Sequence, residues 1–203
     1  MKFREVCPKR SLDVVERTNY RDYRDSLRAD FNNRCGYCND LDEPRKEYFE
    51  IDHLVPQKIM VNKKKNDYQN LVYTCHSCNN AKRKKWPSGD ENIPIVGEEG
   101  WIDPCSEEYD KQFSRDDNGN IIPLTPIGKW MYNNLKLYKP QHNILWNIEQ
   151  LDMICQDFAE KLAGNPNELV IKDKLLECLL EYRNFSKRLF TALDSDCQTL
   201  RAT

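Results

Sequence analysis

The chain has 203 residues, of which 39% are hydrophobic and 32% charged, and its formal net charge is −2. This is the composition of a folded globular protein, and no apolar run approaches the length of a membrane span. The amino terminus, MKFREVCPKR, lacks the apolar core of a secretory signal peptide, so the nine cysteines indicate metal binding or burial and not a disulfide framework. We therefore expect a cytoplasmic protein that does not contact membranes.

The first predicted element is a helix in TNYRDYRDSLRADFNN, whose apolar residues recur at helical spacing and which leads into Cys35. KEYFEIDHLV predicts a strand that ends near His53, and NLVYTC predicts the strand that returns. The lysine-rich segment KIMVNKKKNDY connects them. After Cys78, NNAKRKK suits a short helix that ends at the breaker WPSG. The sequence therefore predicts a β-β-α unit bracketed by two cysteine pairs.

The second half of the chain is predicted to be mainly helical. FSRDDNGNIIPL has the turn residues of a β-hairpin, and TPIGKWMYNNLKLY predicts a helix with Thr125 as its N-cap and Pro126 at its first position. Apolar residues then follow at alternating steps of three and four from Ile144 to Leu162, and a second amphipathic helix is expected over about 167–193. The predicted fold class is α+β, with a long antiparallel helical hairpin at the end.

Two Cys-x-x-Cys pairs, Cys35/Cys38 and Cys75/Cys78, are separated by 36 residues. Each pair presents two thiolates, and four soft ligands saturate a tetrahedral zinc ion. Such a closed site has no open position for chemistry. We therefore expect structural Zn²⁺ at these four cysteines.

The pieces CGYC, IDHLVP, NL and CHSCNNAK resemble, in order and spacing, the HNH (ββα-metal) endonuclease family. The resemblance implies that His53 is the general base that activates water, and that Asp52 and Asn79 bind a catalytic Mg²⁺ or Mn²⁺. It also implies that Asn70 holds the loop and orients the base. A carboxylate and an amide oxygen suit such a hard cation.

Two details of this assignment follow from position. Asn79 is preferred over the adjacent Asn80 because it directly follows Cys78. Asp52 and His53 point to opposite faces if both stay in the strand, so we expect a bend at the strand end that lets them share one phosphate.

The basic residues of the chain are unevenly distributed. Between His53 and Gly89 there are eight Lys and Arg residues against one acid, which is typical of a surface that binds phosphates. The resemblance makes Lys82 the basic residue of the CNxxK tail. The predicted DNA-backbone contacts are Lys82, Arg83, Lys84 and Lys85, together with Lys63, Lys64 and Lys65 of the connection.

The resemblance divides the chain into a nuclease domain at 1–95 and a hairpin and helical region at 96–203. The segment from Trp101 to Pro140 resembles, more loosely, HNH proteins of bacterial anti-phage systems of the Septu and retron-associated types, which work beside an ATPase. This implies a defence effector whose protein partner, such as an ATPase, docks on the C-terminal helices. The simpler alternative is that the two apolar stripes only pack on each other and on the nuclease domain.

A zinc-organised module that binds nucleic acid without cutting it explains the cysteines and lysines equally well. It gives no reason for Asp52, His53, Asn70 and Asn79 to fall together in the nuclease pattern. The leading hypothesis is therefore a metal-dependent endonuclease that hydrolyses DNA.

Overall fold

The computed structural model describes the backbone of residues 1–43 and 45–201, and the side chains of these residues up to Ala192. The fold is α+β, as predicted. The helices are α1 (Arg24–Asp30), α2 (His76–Lys82), α3 (Glu107–Asp110), α4 (Pro126–Leu135), α5 (Pro140–Gly164) and α6 (Leu169–Arg201). The strands are β1 (Phe49–His53), β2 (Leu71–Cys75), β3 (Ile95–Val96), β4 (Glu99–Gly100), β5 (Phe113–Arg115) and β6 (Ile121–Pro123).

The centre of the fold is the antiparallel hairpin of β1 and β2. Its register runs from Phe49 opposite Cys75 to His53 opposite Leu71. Every residue of β2 is buried, because helix α1 packs on this strand while α2 follows it and packs on β1. The predicted β-β-α unit is confirmed, and one end of the hairpin, where Phe49 lies opposite Cys75, is the end at which the cysteine pairs meet.

The turn after α1 explains how the chain enters the first cysteine pair. Asn32 and Asn33 have φ of 55° and 59°, a left-handed conformation that asparagine tolerates better than most residues. The chain then reverses toward Gly36, where an added Cβ would lie 2.7 Å from the ring of Phe31 and 2.9 Å from Val72. Glycine at this position lets the cysteine pair approach the core closely.

Helix α2 differs from the prediction for NNAKRKK. It begins earlier, at His76 inside the second cysteine pair, because Cys75 is its N-cap and accepts a 3.5 Å hydrogen bond from the Cys78 amide. It ends at Lys82, since Arg83 adopts φ 50° and leaves the helix. The basic tail is consequently split between the helix and the loop after it.

The chain divides into two compact units. The first comprises residues 1–117 and 121–138, and the second comprises 118–120 and 139–203, of which Ala202 and Thr203 lie outside the described residues. The expected boundary at 95/96 falls inside the first unit, because Trp101 is buried there and donates a 2.8 Å hydrogen bond to the Lys85 carbonyl. Helix α4 also belongs to this unit and is capped as predicted, with the Gly128 amide donating to Thr125 Oγ1 at 2.9 Å.

The second unit is the predicted helical hairpin. Ile144 and Leu145 near the start of α5 pack against Leu189 near the end of α6, so the two helices are antiparallel. None of the described helices combines the length and the apolar character needed to cross a membrane.

Candidate active site and zinc centre

The four cysteines of the two pairs converge at the end of the β1–β2 hairpin. Their sulfur atoms all lie within 4.8 Å of one another, and all four residues are buried. The Sγ atoms of Cys38 and Cys75 are 3.8 Å apart, which is far beyond the roughly 2.05 Å of a disulfide. The predicted cluster is therefore formed, and it is not a pair of disulfides.

The cluster fits a tetrahedral zinc ion in both size and chemistry. Zn–S bonds of about 2.3 Å give a tetrahedron edge of about 3.8 Å, the separation seen between Cys38 and Cys75. Burial raises the pKa of Cys38, and a cation bound by the cluster would stabilise its thiolate. Zinc held by Cys35, Cys38, Cys75 and Cys78 would tie the turn after α1 to the start of α2.

His53 is the last residue of β1, and its ring is held by two polar contacts. Nε2 lies 2.7 Å from the Lys65 carbonyl oxygen, and Nδ1 lies 3.3 Å from the Gln57 amide nitrogen. Since a carbonyl can only accept, Nε2 carries the hydrogen and Nδ1 of the neutral ring keeps its lone pair. The edge of Tyr20 packs against the ring at a centroid distance of 4.7 Å. Nδ1 of His53 therefore faces the exposed side chain of Gln57, which could move aside for a water molecule.

The environment of His53 favours the neutral imidazole. Burial lowers the pKa of His53 below its ordinary value of 6.5, and this outweighs the opposite effects of the Lys65 carbonyl and the Asp52 carboxylate. A neutral ring at pH 7 can accept a proton, which is what a general base requires.

Asp52 is buried and its carboxylate is held on one side. Oδ2 accepts a 2.7 Å hydrogen bond from the Tyr37 hydroxyl and makes a 2.9 Å ion pair with Lys82 Nζ. Within the described part of the chain, no hydrogen bond reaches Oδ1. One oxygen is thus used to orient the carboxylate, and the other is left for a ligand.

Lys82 does not lie where a DNA-backbone contact would need it. Its side chain is fully buried, and Nζ also donates to the His53 carbonyl at 2.9 Å and lies 5.5 Å from the centre of the Trp101 ring. The burial of Lys82 and its pairing with Asp52 do not support the predicted contact of Lys82 with phosphate. Lys82 instead connects the carboxylate of Asp52 to the backbone of His53.

Asn70 joins the two ends of the long connection. Its Oδ1 accepts from the Val55 amide at 2.9 Å, and its Nδ2 donates to the Val55 carbonyl at 3.1 Å. Its own carbonyl accepts from Leu54 at 2.8 Å. These bonds fix the chain immediately after His53, although Asn70 makes no hydrogen bond to the ring itself.

Asn79 lies on α2 and reaches back to β1. Its Nδ2 donates to the Glu50 carboxylate, whose other oxygen is 2.8 Å from Nδ1 of His76. Asn80 instead accepts at Oδ1 from Arg83 Nε at 3.2 Å. Asn79, and not Asn80, is the asparagine that faces the strand carrying Asp52.

Asp52 and His53 both remain in register in the strand, opposite Val72 and Leu71, and the strand ends at His53. Lys82 links the two residues, since its Nζ lies 2.9 Å from Asp52 Oδ2 and 2.9 Å from the His53 carbonyl oxygen. The chain turns only after His53, where Asn70 holds it.

The comparisons with known proteins agree with this arrangement. A family model described as HNH endonuclease matches residues 35–85. This segment is therefore similar to HNH endonucleases, and the likeness applies to these residues. Neither the curated proteins nor the solved structures gave a match. The matched segment begins at Cys35 and ends at Lys85, so it contains the four-cysteine cluster, the β1–β2 hairpin and α2.

Several residues that orient the HNH site were not singled out from the sequence. Tyr37, inside CGYC, and Glu50, two residues before Asp52, both contact predicted metal ligands. The alternation of side chains along a strand could have suggested Glu50, since residues two apart, such as Glu50 and Asp52, project from the same face. The carbonyl of Lys65 had no sequence signal, because any residue supplies one.

The connection that carries Lys65 contains no glycine and is held from outside the HNH segment. The buried Glu91 carboxylate accepts backbone hydrogen bonds from Val61 at 2.7 Å, Asn62 at 3.0 Å and Lys63 at 3.3 Å. These bonds lower the pKa of Glu91 to about 2. Lys63, Lys64 and Lys65 are exposed, as are Arg83, Lys84 and Lys85. Lys85 Nζ nevertheless donates to the Asn134 carbonyl at 3.3 Å.

Proposed function

We propose that this protein is a metal-dependent HNH endonuclease that hydrolyses DNA phosphodiester bonds. The observation that carries the proposal is the 2.7 Å contact of His53 Nε2 with the Lys65 carbonyl oxygen, which leaves the Nδ1 lone pair of the neutral ring as the proton acceptor. A binding module without turnover has no use for such a base. The match of residues 35–85 to the HNH family supports the same reaction type.

In the proposed reaction, His53 Nδ1 takes a proton from a water molecule whose oxygen attacks phosphorus. The Gln57 side chain is exposed and would yield its place to this water. Lys65 O then stabilises the resulting imidazolium through Nε2. The bond from phosphorus to the leaving oxygen breaks, and the resemblance to HNH enzymes implies a 5′-phosphate and a 3′-hydroxyl as products.

The free oxygens of Asp52 and Asn79 fit a hard divalent cation such as Mg²⁺ or Mn²⁺. When bound, such a cation supplies positive charge beside the phosphate and the leaving oxygen. Tyr37 and Lys82 hold Asp52 so that a single oxygen faces the ligand. Lys82 further ties this carboxylate to the His53 backbone, so that the metal ligand and the base share one support.

The test is conversion of supercoiled plasmid to nicked or linear DNA by zinc-loaded protein, with and without added Mg²⁺ or Mn²⁺. Cleavage that needs the divalent ion and His53 supports the proposal. Tight binding of DNA without cleavage under any metal would instead support the zinc-organised binding module.

The rate of cleavage should depend on pH through His53. Because burial lowers the pKa of His53, the base is already neutral at pH 7, and a bound divalent cation would shift the pKa in the same direction. We expect kcat/KM to be flat from about pH 7 upward and to fall about tenfold per unit on the acid side, with the inflection below about 6.5. An inflection above that value would contradict the assignment of the base.

The exposed basic residues are proposed to bind the DNA backbone. The test replaces Arg83 or Lys84 by Ala in a His53→Ala background that leaves DNA intact. Each change should make the negative slope of log K for DNA binding against log salt shallower by about 0.9. Lys172→Ala, on the exposed face of α6, serves as the matched control. Unchanged slopes for Arg83 and Lys84 would remove these residues from the DNA surface.

The proposal extends to a protein partner and to a cellular role in anti-phage defence. A defence role in the cytoplasm beside an ATPase is supported by the looser resemblance of residues 101–140, and the C-terminal hairpin offers the docking surface. Exposed apolar side chains on α6 support this surface: Leu169, Val170, Leu176, Leu179, Leu180 and Phe190. A chain that is monomeric and fully active alone would argue against a required partner.

A further inference from the structure

Three polar side chains form a short chain of contacts across the junction between β1 and α2. His76 Nδ1 lies 2.8 Å from one carboxylate oxygen of Glu50, and Asn79 Nδ2 donates to the other. The Glu50 side chain is 40% exposed and that of His76 is 49% exposed, so neither is needed to fill the core. Their arrangement therefore calls for an explanation other than packing.

The contact with Glu50 fixes the orientation of the Asn79 amide, with Nδ2 toward Glu50. An ionised carboxylate only accepts hydrogen bonds, so it selects the NH₂ group and turns Oδ1 of Asn79 away. A hard divalent cation binds the oxygen of an amide and is repelled by its NH₂ group. An asparagine ligand thus has one useful orientation of two, and Glu50 selects it.

The partner of this amide, Glu50, lies on the same face of β1 as Asp52. Glu50 and Asp52 lie two residues apart on β1, opposite Thr74 and Val72, and so project from the same face. Across the described chain, Oδ1 of Asn79 and Oδ1 of Asp52 both lack a protein donor. Asn79 is therefore held through Nδ2 and Asp52 through Oδ2, and Oδ1 of each residue is left to bind a cation.

We propose that Glu50 is a positioning residue that locks the Asn79 amide with its oxygen toward the catalytic cation, and that His76 holds Glu50 in place. The inference rests on the proposed function, since it concerns the same metal site. Glu50 acts through Asn79 and does not itself bind the cation.

A comparison of Glu50→Gln with Glu50→Ala separates orientation from charge. In Glu50→Gln the new Oε1 can accept from Asn79 Nδ2, while its NH₂ can donate to His76 Nδ1 once that ring changes tautomer. The amide of Asn79 then stays oriented although the charge is gone. In Glu50→Ala the amide is free to turn over.

The experiment measures Mn²⁺ binding by titration calorimetry on zinc-loaded protein, in a His53→Ala background and without DNA. We expect Glu50→Ala to bind Mn²⁺ about tenfold more weakly, as changes of groups that orient metal ligands commonly do, and Glu50→Gln to stay within about threefold of the parent. Glu47→Ala, an exposed acid just outside β1, should bind as the parent does.

In cleavage assays with His53 restored, Glu50→Ala should need about tenfold more Mn²⁺ for half-maximal rate, and its rate at saturating Mn²⁺ should approach that of the parent. A purely structural role would lower the melting temperature instead and leave the metal dependence unchanged.

Two results would overturn the inference alone: Mn²⁺ binding that is unaffected by Glu50→Ala, or binding that is weakened equally by Glu50→Gln and Glu50→Ala. The second would show that the charge of Glu50, and not the orientation of Asn79, is what matters. If Asn79→Ala leaves Mn²⁺ binding unchanged, the metal site of the proposed function is wrong and the inference fails with it.

Discussion

Replacing His53 by Ala should reduce plasmid cleavage by about 10³-fold while leaving DNA binding intact. A general base contributes roughly 10² to 10⁴ in rate, and in this site Nδ1 of His53 is the nitrogen held ready to accept a proton. The ring also packs against Tyr20, so the variant loses one partly buried contact. We expect this loss to lower stability without unfolding the protein, because the zinc centre lies at the other end of β1.

The measurement is the initial rate of supercoiled plasmid loss in saturating Mg²⁺ or Mn²⁺, with zinc content and melting temperature recorded for both proteins. Added imidazole should restore part of the activity of His53→Ala, since it can occupy the space left by the ring. Equal cleavage by parent and variant would assign the activity to another group or to a contaminant, and the base would have been misidentified.

Removing zinc should unfold the first unit. Structural zinc contributes on the order of 10 kcal/mol to the folding of small zinc domains, and here it would join the turn after α1 to α2. Cys75→Ser should be the most damaging single change, because Cys75 ends β2, caps α2 and supplies one sulfur of the cluster. Strong chelators should act in the same way as this variant.

The measurement for the zinc centre is metal content by atomic spectroscopy together with near-ultraviolet circular dichroism, which reports the packed aromatic residues of the core. Cys7→Ser is the matched control, since Cys7 is a partly buried free cysteine outside the cluster. It should keep one zinc per chain. A Cys75→Ser protein that retains both zinc and its aromatic signal would contradict the four-cysteine assignment.

The sequence predicted the β1–β2 hairpin and the helices α1, α2, α4, α5 and α6, because these follow from the spacing of apolar residues and from capping residues. It did not predict the short helix α3. Thr125 and Pro126 start α4 as expected, and the zinc cluster follows from two Cys-x-x-Cys pairs. These are local patterns, which a single sequence displays directly.

What the sequence could not reveal depends on contacts between distant segments. Lys82 sits in a basic tail and reads as a surface residue, yet it is fully buried between Asp52 and Trp101. Trp101 comes 19 positions later, and its place over α2 is set by tertiary packing. The same applies to Glu91, whose hold on the connection is invisible in the local pattern.

The base is oriented by a backbone carbonyl and not by a side chain, and this has a consequence for how the connection can vary. Because Lys65 contributes only its oxygen to His53, many residue types at this position would serve equally well. A single insertion or deletion between Pro56 and Asp67 would shift that oxygen by about one residue length, roughly 3.3 Å or more, and break the contact. Orienting the base therefore constrains the length of this connection strictly, while it places no demand on the side chain at position 65.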